Sequence, residues 1–251
     1  MNAMDDFLWY SYFGITPKDA VSNRENAKMI CAQRAYLDLC RTLKYFKNTD
    51  ESKNDPDYQT LKETFIECIK KHICHQINRL FKDKEDFDTW HKTVCDGIVE
   101  SAQRCEDKKG GQLFKNKEKG TGRAFYYGQA QKWLNMTLKY MLLMGLWNDD
   151  IQVIEDGEKP LHVPVDDYIM DAAACKGKKI KSLLTDRVRK NESPWSRWSY
   201  DTYIEFQVQI RGKAGDYKTP MGWEQKAWVE IAEYRKEQEK KRQEMRTYKK
   251  G

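Results

Sequence analysis

Residues 128–141 read GQAQKWLNMTLKYM, and this stretch decides how the rest of the chain is read. Wound as a helix, Gly128, Lys132, Asn135 and Lys139 fall on one stripe at i, i+4, i+7 and i+11. Around them, Ala130, Trp133, Leu134, Met136, Leu138, Tyr140 and Met141 make most of the circumference apolar. A helix of that kind is largely buried, with one narrow polar line. The line either faces water or borders a cleft. In the second case Lys132 stands near the helix N-terminus, where the dipole and partial desolvation together favour a neutral, nucleophilic amine.

Working outward, the same helical periodicity recurs. It is present in 16–46, in 55–81 after an Asp-Pro opening, in 84–105, and in 123–146 around the opening stretch. A further helix is expected from Asp166, and others over 196–212 and 222–250, the last becoming a charged, solvated extension from about residue 235. Residues 106–122 hold four glycines among many lysines and read as a loop. Only 151–165 hints at an extended piece. The expected class is all-α, about eight helices in one domain spanning 1–251.

The 251 residues, 39% hydrophobic and 33% charged, are enough for a real core under a heavily charged surface. No apolar run approaches the roughly 20 residues that span a bilayer. The start, MNAMDDFLWYSYFG, is acidic and aromatic and lacks the basic opening of a secretory signal, so a cytoplasmic protein is expected, nucleoid-associated if prokaryotic. Seven cysteines without a CxxC pair read as free thiols, mostly in helices. The net charge of +6 is unevenly spread: CKGKKIKSLLTDRVRK (175–190) carries seven Lys or Arg against one acid. Such a patch suits nucleic acid, or is a solvated face.

Two further segments bear on chemistry. In LHVPVDDYIM (161–170), Pro164 fixes an extended approach and Asp166 is placed as a helix N-cap, a role complete in itself. In ECIKKHICHQ, Cys68, His72 and His75 share a helical face, as zinc ligands or as satisfied, partly buried side chains. No phosphate-binding loop, nucleophile elbow or dinucleotide fingerprint is present. The aromatic stretch 195–211 reads as a helix packing Trp198, Tyr203 and Phe206 into the core, or as a nucleic-acid wedge.

Lys132 on its helix, followed 34 residues later by the Asp of HVPVD, resembles the helix-hairpin-helix DNA glycosylase superfamily, and most closely its archaeal 8-oxoguanine branch. A second lysine seven residues after the first, here Lys139, matches that branch. So does a helix with an acid and a tryptophan four apart, here Glu224 and Trp228, although the branch has aspartate at the acid. The glycine-rich L-P-G-V-G hairpin of the wider superfamily is absent. The resemblance implies two helical subdomains flanking a cleft and a base-excision glycosylase with AP-lyase activity. Lys132 would be the nucleophile and Asp166 the catalytic acid, with Glu224, Trp228 and Trp133 around the base. The partner implied is double-stranded DNA with a flipped base, contacted near Gly128 and Gln129, by Lys139, and by Lys176, Lys178 and Lys179 of the basic run. A monomer without metal or cofactor is expected. The alternatives are a glycosylase acting on another modified base, as in foreign DNA, a non-catalytic DNA-binding protein of the same fold, and an all-α interaction module.

Overall fold

Buried apolar side chains at helical spacing explain each packed element of the computed structural model. It describes residues 3–45, 56–83, 85–106, 112–114, 124–145, 147, 150, 154, 160–174, 193–213 and 217–248. The helices are α1 (Ala3–Phe13), α2 (Pro17–Ser22), α3 (Arg24–Leu39), α4 (Pro56–Asp83), α5 (Phe87–Gln103), α6 (Tyr127–Met144), α7 (Asp167–Ala173), α8 (Tyr200–Lys213) and α9 (Pro220–Tyr248). Short 3₁₀ turns lie at Cys40–Thr42 and Trp195–Arg197. The protein is all-α, with no strand among the described residues and one isolated bridge between Glu106 and Gln112.

The apolar spacing of 16–46 predicts one helix; the structure divides it into α2 and α3, and a further helix, α1, precedes them. Thr16 caps α2 through Asp19 N, and the Asp19 carboxylate returns to Thr16 N at 3.1 Å. Asn23 then leaves helical geometry and caps α3 through Asn26 N at 3.0 Å. A capping box followed by a second cap forces a break that apolar spacing does not reveal. α1 is held by its aromatic end: Phe13 packs edge-on to Tyr140, and the Tyr12 and Tyr140 hydroxyls hydrogen-bond at 2.9 Å.

α6 is the axis of the molecule, and α3, α5, α8 and the Trp195 turn all pack on it. It ends at Gly145 in the left-handed conformation, φ 65°, where glycine carries no Cβ penalty. At its other end Gly128 passes under the Trp195 turn so closely that a Cβ there would lie 2.0 Å from the Trp195 carbonyl oxygen. Only glycine fits this crossing.

Trp198, Tyr203 and Phe206 lie in the core, the first of the two roles open to 195–211. Of the described cysteines, Cys31, Cys74 and Cys95 are buried free thiols, whereas Cys68 is exposed. His75 is exposed as well and His72 packs beside Gly97. Among the described residues no group of three or more His, Cys, Asp or Glu could hold a metal ion. No described helix is long and apolar enough to cross a membrane.

Candidate active site

The polar stripe of α6 does not face water. It runs along a border: Lys132 and Lys139 line a cleft, Asn135 points into a buried network, and Gly128 is sealed under the Trp195 turn. The cleft has a volume of about 1000 Å³ and is walled by α3, α6, α7, the Trp195 turn and α9, with Tyr12 of α1 at its edge.

Two lysine–carboxylate pairs stand in its wall. Lys132 Nζ lies 2.9 Å from Asp166 Oδ2, with side-chain exposures of 6% and 20%. The other oxygen of Asp166 accepts the Ile169 N–H at 2.9 Å. Asp166 is therefore both the N-cap of α7 and the partner of Lys132; the two readings of this residue are not exclusive. Lys139 Nζ bonds both oxygens of Glu224, at 2.7 and 2.6 Å, and Glu224 is only 2% exposed.

Asp166 is seated by an unusual backbone arrangement. Residues 161–165 are buried yet neither helix nor strand, so their peptide groups need other partners. Gln207 of α8 supplies one set: its Oε1 accepts Val163 N at 3.0 Å and its Nε2 donates to Val163 O at 2.8 Å. Gln131 of α6 does the same for Val165, with both contacts at 3.3 Å. Two side-chain amides thus replace the neighbouring strands.

Behind this clamp lies a chain of polar groups. His91 Nε2 donates to Asn135 Oδ1 at 2.9 Å, Asn135 Nδ2 donates to the Tyr203 hydroxyl at 2.9 Å, and Tyr203 donates to His162 Nδ1 at 2.7 Å. His162 Nε2 then reaches Asp88, which Arg211 holds through two bonds of 3.1 and 2.8 Å. Burial would raise the Asp88 carboxyl, but the hydrogen bonds from His162 and Arg211 more than offset it and hold the group below the usual range. Burial pushes His91, His162 and His72 down, so these imidazoles are neutral in the folded protein and the ionic partner of Asp88 is Arg211. The sign of the pH dependence follows. Below a pH of about 6.5 the unfolded chain binds protons that the folded one refuses, so stability is full above that pH and is lost as pH falls. The melting temperature is expected to drop from pH 7 to pH 5; a flat profile would contradict the buried neutral histidines.

A flat aromatic surface completes the cleft. Trp228 of α9, 38% exposed, stacks on Tyr168 of α7 with centroids 5.0 Å apart and 15° between planes. Arg235 lies over the Tyr168 ring at 4.2 Å. Tyr168, two residues after Asp166, escapes the sequence reading because an aromatic in a seven-residue helix carries no period to interpret. The rim trio of Tyr12, Tyr140 and Asp38 escapes it too, because its members come from three helices. Burial and the hydrogen bond to Asp38, 2.5 Å long, push the Tyr140 phenol up, so it remains a donor.

Comparison with protein-family models, curated proteins and solved structures gives no match.

The structure brings Lys132, Asp166, Lys139, Glu224 and Trp228 to one cleft. It corrects three other expectations. Trp133 is not at a base pocket: it is fully buried, donates to Ala32 O at 2.9 Å and packs against Tyr36 and Phe65. Gly128 is covered by the Trp195 turn and its N–H is taken by Trp198 O at 3.1 Å. Gln129 is buried and committed at both ends, accepting Tyr126 N at 3.0 Å and donating to Thr42 O at 2.8 Å. Neither has a polar side-chain group left for a phosphate. Lys176, Lys178 and Lys179 lie outside the described residues.

Proposed function

We propose that this protein is a DNA base-excision glycosylase with AP-lyase activity, working through a Schiff base on Lys132. The observation that carries the reading is the 2.9 Å contact between Lys132 Nζ and Asp166 Oδ2 at the wall of a cleft large enough for a nucleobase. These two residues are 34 positions apart in the chain, and the glycosylase resemblance is what links them in the sequence.

Excision requires the target nucleotide to leave the duplex stack, which costs roughly a few kcal/mol. Trp228 offers an exposed flat face for the extruded base, with Tyr168 supporting it from behind. An ammonium cannot attack, so Lys132 first gives up a proton, and the Asp166 carboxylate is the adjacent acceptor. The neutral amine attacks the sugar C1′, and the bond from C1′ to the base nitrogen breaks, its electron pair leaving with the base, which takes up the proton that Asp166 received from Lys132. Asp166, ionised again by that transfer, stabilises positive charge developing on the sugar. Opening of the sugar ring gives an imine between Nζ and C1′. Loss of a C2′ proton then expels the 3′ phosphate and nicks the strand. None of these steps calls for a metal or an organic cofactor.

8-Oxoguanine, the base of the branch that the sequence resembles, is the first substrate to test; another modified base is the alternative within the same chemistry. The test is borohydride trapping on duplexes that carry 8-oxoguanine or an abasic site. Reduction of the imine to an amine should leave a covalent protein–DNA adduct. An adduct with the abasic duplex alone keeps the lyase and removes oxidised guanine. No adduct with either duplex, from protein that still binds DNA, removes Lys132 as nucleophile and leaves a monofunctional glycosylase or a non-catalytic DNA-binding protein.

A further inference from the structure

The face of α9 that enters the cleft does not stop where the packing stops. Glu224, Trp228, Arg235, Arg242 and Arg246 are spaced by four, seven, seven and four residues, which places all five on one side of the helix. Glu224 and Trp228 line the cleft. Arg235 is fixed at its edge: Nε and Nη2 bond Asp171 Oδ2 at 3.0 and 2.5 Å, Nη2 also reaches Asp167 O at 2.9 Å, and the guanidinium covers Tyr168. Arg242 lines a groove of about 740 Å³ that shares Tyr168 with the cleft. Arg242 and Arg246 are exposed and have no ion-pair partner among the described residues.

The opposite side of the same helix carries Glu233, Glu237 and Glu244, at a spacing of four and seven. Lys236, Lys240 and Lys241 lie on or beside that glutamate side and offset it, whereas the arginine side has Glu239 as its one acid, which accepts from Gln243 at 3.3 Å. The exposed part has no apolar seam: Met245 is the one aliphatic side chain among 235–247, so a coiled-coil partner has nothing to bury. Two exposed guanidiniums, Arg242 and Arg246, one turn apart on the helix and in line with the anchored Arg235, fit successive anions, and their fork geometry suits phosphate.

We infer that the arginine side of α9 is a phosphate-tracking surface for duplex DNA flanking the nucleotide held in the cleft. The choice of duplex rests on the glycosylase reading; the surface itself rests on its charge, its spacing and its continuity with the cleft. From Trp228 to Arg246 the helix rises about 27 Å, which corresponds to about eight base pairs of duplex at about 3.4 Å each. Arg235 acts as the anchor that sets the direction of the row, while Arg242 and Arg246 make the contacts.

The test uses the full chain and fluorescein-labelled duplexes with a central tetrahydrofuran abasic analogue, read by anisotropy across a salt series. Arg242→Gln with Arg246→Gln removes two charges from this side. Lys240→Gln with Lys241→Gln removes two from elsewhere on the same exposed turns. With about 12 base pairs on each side of the lesion, the arginine pair should flatten the log K against log salt slope by about 2 and weaken binding about tenfold. The lysine pair should change the slope much less. With flanks of about three base pairs, shorter than the row, the arginine pair should bind like the parent. Equal losses in the two double variants, an equal loss on the short duplex, or a parent that binds no duplex would overturn the inference. Borohydride trapping with a true abasic site separates it from the catalytic reading. A parent that shows the slope change without an adduct keeps the surface and loses the enzyme; an adduct with no slope change does the reverse.

Discussion

Lys132→Gln is expected to yield no borohydride adduct on an abasic duplex, and strand nicking should fall by roughly 10³-fold or more, the scale on which loss of a covalent nucleophile acts. Glutamine is one atom shorter than lysine but still offers an uncharged N–H donor on the side of Asp166 Oδ2, which Lys132 contacts at 2.9 Å in the parent. Asp166 keeps its hydrogen bond from Ile169 N, and its carboxylate is partly exposed. The melting temperature should therefore stay near that of the parent, and duplex affinity should stay within about threefold, since only one charge facing the cleft is removed. Lost chemistry with retained fold and retained binding is the signature of a nucleophile. A variant that still nicks at the parental rate would remove Lys132 from the mechanism.

Glu224→Ala should act on stability. Glu224 is almost fully buried, and both of its oxygens are engaged by Lys139, which is itself 15% exposed. Truncating one member of such a pair strands the other charge in a poorly solvated place, which costs about 3–5 kcal/mol, or a fall in melting temperature of about 10 °C for a chain of this size. Removing both charges together, as Lys139→Met with Glu224→Leu, should recover most of that loss, because the penalty comes from the orphaned ammonium rather than from the missing attraction. Thermal melts of the three variants decide it. A loss under about 1 kcal/mol for Glu224→Ala would mean that water reaches Lys139 freely. The pair lines the same cleft as Lys132, so the double variant also asks whether charge at that wall is needed to hold a base.

How far the molecule could be read in advance varies with the kind of signal. The buried character of α6 was legible because an apolar surface around most of a helix calls for packing on nearly every side. The helix starting beyond Asp166 was legible from a local rule, proline then a cap, and α7 begins there. The pairing of Lys132 with Asp166 was not local: no spacing rule brings together residues on a helix and beyond a loop, and only resemblance to a known arrangement suggested it. Trp133 shows the opposite failure. It neighbours Lys132 in sequence, but one residue along a helix is a turn of about 100°, enough to carry it from the cleft into the core. Gly128 and Gln129 depart from the expected DNA contact for a related reason. A helix start offers free N–H groups in principle, but here the Trp195 turn, 67 residues downstream, has already claimed the space. Tyr168 and the Gln131 and Gln207 clamp depend on contacts between distant segments, which single-sequence periodicity does not encode.

The clamp on residues 161–165 has a temporal consequence. A chain is made from its N-terminus, and α6 with the segment leading to Asp166 exists well before Gln207 and Glu224 are added. Until α8 is in place, Val163 has no bidentate amide to hold it, and until α9 docks, the cleft lacks the wall that bears Trp228. The Lys132–Asp166 pair therefore sits in the middle of the chain, but its cleft is the last thing to be finished during synthesis: a nascent chain carries the lysine and the carboxylate long before it carries the walls around them.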